Sequence, residues 1–181
     1  LHPRRVADIV HQVAEALDAA HAAGVVHRDV KPSNVLIENL NGREHVFLTD
    51  FGLSKQTASA AMTATNRLVG TLDYVAPEQI RGERVDARAD VYALGCLLYY
   101  TLTGEVPYKR EGDEARLWAH LNDPPPKPSA HGAPPAFDAV IERALAKDPD
   151  ERYPSAGDLG RAARAAAANE RPAERERLVA K

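Results

Sequence analysis

His27-Arg28-Asp29-Val30-Lys31-Pro32-Ser33-Asn34 is the stretch from which the rest of the chain is read. Between Asp29 and Asn34 it carries a carboxylate, an ammonium and a carboxamide. Apolar runs flank it, Gly24-Val25-Val26 before and Val35-Leu36-Ile37 after. The pattern predicts a rigid loop pinned between two short buried strands. Sixteen residues beyond Asn34 stands Asp50-Phe51-Gly52, close after another apolar run, Val46-Phe47-Leu48. Further on comes Gly70-Thr71-Leu72-Asp73-Tyr74-Val75-Ala76-Pro77-Glu78. Alone, His-Arg-Asp is usually a surface salt-bridge cluster, and Asp-Phe-Gly a turn after a strand. In this order and at this spacing they point to one site.

The three stretches resemble the catalytic loop, the metal-binding Asp-Phe-Gly and the Ala-Pro-Glu segment of protein kinases. The resemblance runs over residues 1–168 and is nearest to bacterial serine/threonine kinases of the eukaryotic-like type. It implies transfer of the ATP γ-phosphate, with Mg²⁺, to Ser or Thr hydroxyls of proteins. That chemistry needs a positioned hydroxyl, positioned phosphates and neutralised charge. Asp29 is the implied carboxylate that orients the hydroxyl and accepts its proton. Lys31 would meet the transferring phosphate as a point charge. Asn34 and Asp50 are the implied Mg²⁺ ligands, both offering hard oxygen, and Gly52 permits a sharp turn after Phe51. Ser33 and Leu36 join the ATP-contacting set, Leu36 as the floor under adenine, a role compatible with simple core packing. Lys31 stands where tyrosine kinases usually carry Ala or Arg. Thr71 stands where serine/threonine kinases place a Thr that hydrogen-bonds the catalytic Asp and Lys. Both imply serine/threonine specificity. Small-molecule phosphotransferases of related fold generally lack a segment ending in Ala-Pro-Glu, so the resemblance favours protein substrates.

Residues 53–70 are rich in Ser, Thr and Ala, the composition of a flexible loop. Their position is that of an activation loop. Thr63 and Thr65 match the activating phosphothreonines of bacterial relatives, and a phosphate of charge about −2 there would pair with Arg28. The alternative is a polar, solvated loop. Thr57 and Ser59 are weaker candidates. Glu78 and Arg152 match positions that meet in a buried ion pair. Asp90 matches an Asp that holds the backbone of the catalytic loop; the competing reading is an exposed acid favoured by a helix N-terminus. His27, Phe51 and Leu36 match spine positions, where apolar surface would be exposed at a lobe interface.

Composition is consistent with this. The chain has 181 residues, 44% hydrophobic and 27% charged, with net charge −3. That suffices for one domain with a sizeable core and gives no support for nucleic-acid binding. Cys96 is the single cysteine, which excludes an internal disulfide, and its apolar neighbours read as a buried structural thiol. The single cysteine fits a reducing compartment, and the resemblance implies a cytoplasmic protein or the cytoplasmic part of a membrane-anchored kinase. No signal peptide and no apolar run long enough to cross a bilayer is seen. The seven His show no metal-ligand spacing.

Periodicity predicts a helix over 3–23 ended by Gly24, and a nearly all-apolar helix over 87–103 capped by Asp86 and stopped by Gly104. A short helix is expected over 114–122, with Trp118 as a core or groove residue. Another carries Phe137, Val140, Ile141, Ala144 and Leu145, and a last one starts at Ser155. Asn41-Gly42 signals a turn between two strands. From Asn169 the charged run Glu170–Arg177 reads as a solvated helix, frayed or disordered.

The fold class is therefore mainly α: a kinase-like C-terminal lobe, a helical bundle with short β-hairpins around the catalytic loop, over 1–168, with a charged tail at 169–181. Gly24 is the one glycine before the catalytic loop. No Gly-rich phosphate loop and no strand Lys precede it, so the N-terminal β lobe is expected to be absent. The parent protein is expected to be active and this stretch alone weak or inactive. The alternative is a stand-alone non-catalytic lobe that docks substrates or regulates a kinase. Bacterial relatives also often activate by pairing, so a kinase homodimer is a further expectation.

Overall fold

The computed structural model describes residues 1–51 and 72–169. Gly52, Thr57, Ser59, Thr63, Thr65, Thr71 and the tail from Glu170 lie outside the described residues. Helix α1 spans Pro3–Ala22. Pro3 sits in its first turn, where a missing N–H costs nothing, and His2 Nδ1 accepts the Arg4 amide at 3.3 Å. Val6, Val10, Val13, Ala14 and Leu17 form its buried stripe. Gly24 follows with φ +76°, a backbone conformation that glycine takes without penalty.

The sequence-based expectation of strands on both sides of the Asp29 loop fails on the first side. Val25 and Val26 are not a strand, and the Val25 amide donates back to the Ala20 carbonyl at 2.9 Å. On the second side, β1 (Val35–Leu40) and β2 (Arg43–Leu48) form an antiparallel hairpin, Val35 opposite Leu48 and Leu40 opposite Arg43. Asn41 and Gly42 both have positive φ, +54° and +80°, the geometry of a two-residue turn that matches strand twist. This hairpin is not buried. Leu36, Ile37, Leu40 and Phe47 are all exposed. A two-stranded hairpin with one neighbouring layer can cover one face only. That layer is α1, towards which Glu44, Val46 and Leu48 turn. Gln12 fastens the two: its Oε1 accepts the Val46 amide at 3.1 Å and its Nε2 donates to the Glu44 carbonyl at 3.2 Å.

The short helix α2 (Pro77–Arg81) leads into α3 (Ala87–Thr103), in which every residue from Ala89 to Tyr99 is buried. Asp86 Oδ1 accepts the Arg88 amide at 2.9 Å to cap α3. Gly95 lets α5 (Asp138–Ala144) cross closely: a Cβ there would stand 2.7 Å from that of Ala144. Burial pushes the Cys96 thiol far above its usual range, so it is an inert packing group. Helix α6 (Ala156–Ala168) starts at Ser155, whose Oγ accepts the Asp158 amide at 3.1 Å. It packs along α1 through Leu159, Gly160 and Ala163.

Helix α4 (Asp113–Asn122) lies at the surface, and only Ala119 and His120 on it are buried. Trp118 is 65% exposed, against the expectation of a core or groove residue, because the inner face falls one residue further along. Polar groups seat this helix instead of an apolar stripe. The Tyr92 hydroxyl meets His120 Nδ1 at 2.8 Å. Lys147 Nζ donates to the carbonyls of His120 at 2.7 Å and Ala119 at 3.2 Å, and to the Tyr108 hydroxyl at 3.0 Å.

Burial, reinforced by the Lys147 ammonium and opposed by the Asp73 backbone carbonyl, pushes the His120 pKa down to about 3 from 6.5. The unfolded chain therefore binds this proton first as pH falls. Stability held above pH 6.5 is lost progressively as pH drops towards 3, at about 1.4 kcal/mol per pH unit. Urea unfolding at pH 7 and pH 4.5 should show the loss in the wild type and a smaller one in His120→Asn. Equal losses in the two proteins would contradict a buried neutral His120.

Candidate active site

The Asp29 loop is fastened by its backbone. Asp90, fully buried in the first turn of α3, accepts the His27 amide at 2.8 Å and the Arg28 amide at 2.7 Å. It is no exposed first-turn acid. His21 Nε2, in the last turn of α1, meets Asp90 Oδ2 at 2.7 Å. His27 is itself fully buried, so the expectation of exposed surface at that position fails, although Leu36 and Phe51 are exposed. His27 Nδ1 accepts the Asp29 amide at 3.3 Å, which leaves Nε2 to carry the proton and donate to the Thr49 carbonyl at 2.9 Å. The Phe51 ring stands edge-on to the His27 ring with centroids 4.6 Å apart. One buried imidazole thus joins the Asp29 loop to the end of β2.

Arg28 and Asp50 have φ of +68° and +63°. A side-chain-bearing residue pays on the order of 1 kcal/mol for that conformation, and it persists where the surroundings over-determine it. At Arg28 they do. Asp90 holds its amide, and Gln79 Nε2 donates to its carbonyl at 3.1 Å while Gln79 Oε1 accepts the Ala76 amide at 3.0 Å. Segment 76–79 is thereby tied to the Asp29 loop.

The functional side chains converge within this frame. Lys31 Nζ lies 2.8 Å from Asp29 Oδ2. Asn34 Nδ2 donates to the Asp29 carbonyl at 2.8 Å and to Asp29 Oδ2 at 3.2 Å. Its amide is therefore turned so that Oδ1 is offered on the other side, 3.4 Å from the Ser33 hydroxyl. The Asn34 carbonyl accepts the Thr49 amide at 2.9 Å and the Thr49 hydroxyl at 3.2 Å, which places β2 and the exposed Asp50 next to it in the chain. A carboxylate held between an ammonium and an amide can take a proton from a hydroxyl while the ammonium faces developing anionic charge.

Behind the loop, Glu78 and Arg152 make a two-pronged buried pair, Oε1–Nη1 at 2.7 Å and Oε2–Nη2 at 2.8 Å. Arg152 Nε donates to the Ala146 carbonyl at 2.8 Å, Nη1 to that of Arg88 at 2.9 Å and Nη2 to that of Lys147 at 3.2 Å. All five guanidinium donors are used.

The protein kinase domain family matches residues 1–161. The chain belongs to the protein kinase family. This kinase chain is 48% identical over 166 residues to serine/threonine-protein kinase PknD of Mycobacterium tuberculosis, 90% of the chain and 24% of PknD. It is 47% identical over 165 residues to serine/threonine-protein kinase PknH of Mycobacterium bovis, covering 90% of the chain and 27% of PknH. It is 47% identical over 171 residues to serine/threonine-protein kinase PknE of Mycobacterium tuberculosis, covering 93% of the chain and 29% of PknE. The kinase chain spans about a quarter of the length of these curated relatives.

The structure brings Asp29, Lys31 and Asn34 of the kinase into one hydrogen-bonded group, with Ser33 beside it and His27, Phe51 and Asp90 behind. Leu36 stands apart on the exposed hairpin face. Gly52, Thr63, Thr65 and Thr71 fall outside the described residues. Sequence reasoning missed His21, Thr49 and Gln79. Gln79 had a readable signal: it follows Ala76 by three, the spacing at which a Gln reaches back to a helix cap. His21 had none beyond a basic residue in a last helical turn. Among the described residues no helix is long and apolar enough to cross a membrane.

Proposed function

We propose that this chain is the large, mainly helical lobe of a bacterial serine/threonine protein kinase, folded over 1–168 and followed by a charged tail. Joined to a small lobe, it transfers the γ-phosphate of ATP to Ser or Thr hydroxyls of proteins. The observation that carries the reading is the Asp29–Lys31–Asn34 group, in which one carboxylate is oriented at 2.8 Å and 3.2 Å by its two partners. Asp29 accepts the proton of the attacking hydroxyl as its oxygen bonds to the γ-phosphorus and ADP departs. Lys31 bridges towards the equatorial phosphate oxygens. Asn34 Oδ1 and the Asp50 carboxylate are the hard oxygens that suit Mg²⁺. The fit is supported by the turned amide of Asn34, whose nitrogen is engaged by Asp29. Bound there, the cation would neutralise charge on the phosphates. Ser33 and Leu36 complete the nucleotide side, and Thr71 would join Asp29 and Lys31 on the acceptor side.

The exposed residues Leu36, Leu40 and Phe47, which share one face of the hairpin, together with the exposed Phe51, form the surface a small lobe would cover. Phosphorylation of Thr63 or Thr65, drawn to Arg28, is the proposed activating step, in a cytoplasmic setting. The full-length natural protein, given Mg²⁺-ATP and protein acceptors rich in Ser and Thr, should yield phosphoserine and phosphothreonine by mass spectrometry. Phosphotyrosine alone, or no transfer at all, would overturn the reading.

A further inference from the structure

Among the described residues, Lys147 is a partly buried cation outside the site, and three acceptors, two at the end of α4 and one in the segment before it, converge on it. Its ammonium reaches the carbonyls of Ala119 and His120 at the end of α4 and the Tyr108 hydroxyl, and it lies 4.4 Å from the centre of the Tyr108 ring. Burial draws its pKa down to about 8, the mark of an enclosed ammonium that water does not solvate freely. The backbone beneath it is gripped as well. Arg152, already holding Glu78, donates to the carbonyls of Ala146 and Lys147.

Helix α4 is otherwise thinly seated. Ala119 is its one fully buried apolar residue, with Leu117 and Leu121 half-buried, and its other attachments are polar: His120 to Tyr92 at 2.8 Å and Arg116 to Asp73 at 3.6 Å. Asp73 belongs to the turn Leu72–Tyr74, which directly follows Thr71, and α4 packs against both that turn and α2. Helix α2 in turn carries Gln79, which holds the Arg28 carbonyl. Two polar routes therefore run from Lys147 to the acceptor side of the Asp29 loop, one through α4 and Asp73, the other through Arg152 and Glu78. Neither touches Asn34 or Asp50, which are reached through Thr49 and β2.

We propose that Lys147 is a positioning residue for the protein substrate, fixing α4 against the Leu72–Tyr74 turn and α2 so that the wall beside the acceptor hydroxyl keeps its shape. The inference rests on the reading of the chain as a protein-phosphorylating kinase. It demands a split effect, because the acceptor wall depends on Lys147 and the nucleotide side does not.

The test is steady-state kinetics of the full-length natural protein with a protein acceptor and Mg²⁺-ATP, comparing wild type with Lys147→Met, which keeps the length of the side chain and removes its donors. KM for the protein should rise about tenfold, the scale of one lost charged hydrogen bond, with KM for ATP unchanged and partial recovery in Lys147→Arg. A folded Lys147→Met with unchanged KM for the protein, or with both KM values raised alike, overturns the proposal. Should Lys147→Met fail to fold, Tyr108→Phe decides, since it removes one acceptor and leaves the ring. A smaller rise in protein KM alone supports the proposal and no change refutes it. Wild type that phosphorylates no protein sinks the kinase reading along with this one, whereas a silent Lys147 in an active wild type sinks this one only.

Discussion

Asp29→Asn should lower the turnover of protein phosphorylation by about 10²–10⁴-fold, the contribution of a positioned general base, in the full-length natural protein. The substitution is close to isosteric. The Asn34 Nδ2 bond to the residue 29 carbonyl at 2.8 Å depends on backbone and is kept, as is the bond from the residue 29 amide to His27 Nδ1. What is lost is the proton acceptor and the charge partner of Lys31, 2.8 Å away. KM for ATP should change far less than turnover, because the substitution leaves in place the groups assigned to the nucleotide, Ser33, Asn34, Leu36 and Asp50, and the Lys31 ammonium. Single-turnover phosphorylation beside a thermal melt separates a chemical defect from a folding one. A variant that melts like wild type and retains turnover within a factor of a few would remove Asp29 from the role of base.

The second large effect is on stability. Glu78→Ala should cost about 3–5 kcal/mol, because it strands a buried guanidinium without its counter-charge. Arg152 is 2% exposed and Glu78 3%, so water cannot enter to replace the lost partner without opening the packing. Arg152→Met should cost a similar amount for the opposite reason, since it leaves a buried carboxylate that must take up a proton, and it also releases the carbonyls of Arg88, Ala146 and Lys147. The double change Glu78→Leu with Arg152→Met should cost much less than the sum, as paired burial of charge is expensive in itself. Urea midpoints of the single and double variants measure this, and additivity would show that the two side chains act independently. The exposed Arg5–Glu44 pair, at 2.7 Å, offers the contrast: its geometry is as good, but solvent screens it.

How much of this could be read beforehand follows from how local each signal is. Helices α1 and α3 announce themselves by composition, since a stripe from Val6 to Leu17 or a run of apolar residues from Val91 to Leu98 has few other uses. The Asn41-Gly42 turn is legible because a two-residue hairpin loop needs positive φ twice. The burial of β1 was misread because a short apolar run looks the same whether one face or two are covered. Trp118 was misread because its burial depends on the rotation of α4, which polar contacts from Lys147 and Tyr92 set, and those come from distant parts of the chain. The meetings of Asp90 with residues 27–28 and of Glu78 with Arg152 span 62 to 74 positions. No periodicity carries such a distance, and only the likeness to kinases put those residues together in advance.

The hydrogen bonds from Gln12 to β2 have a consequence for how copies of this chain behave in a crowded solution. A strand with unpaired backbone groups along its rim is a template on which another chain can build a sheet. Gln12 occupies that rim on β2 by taking the Val46 amide and the Glu44 carbonyl. Among the described residues nothing comparable covers the far side of β1, which also displays Leu36 and Ile37. Strand addition, and with it aggregation of this chain when expressed by itself, is therefore directed to β1. A lysine introduced at Ile37 is the conservative route to keeping such a preparation in solution.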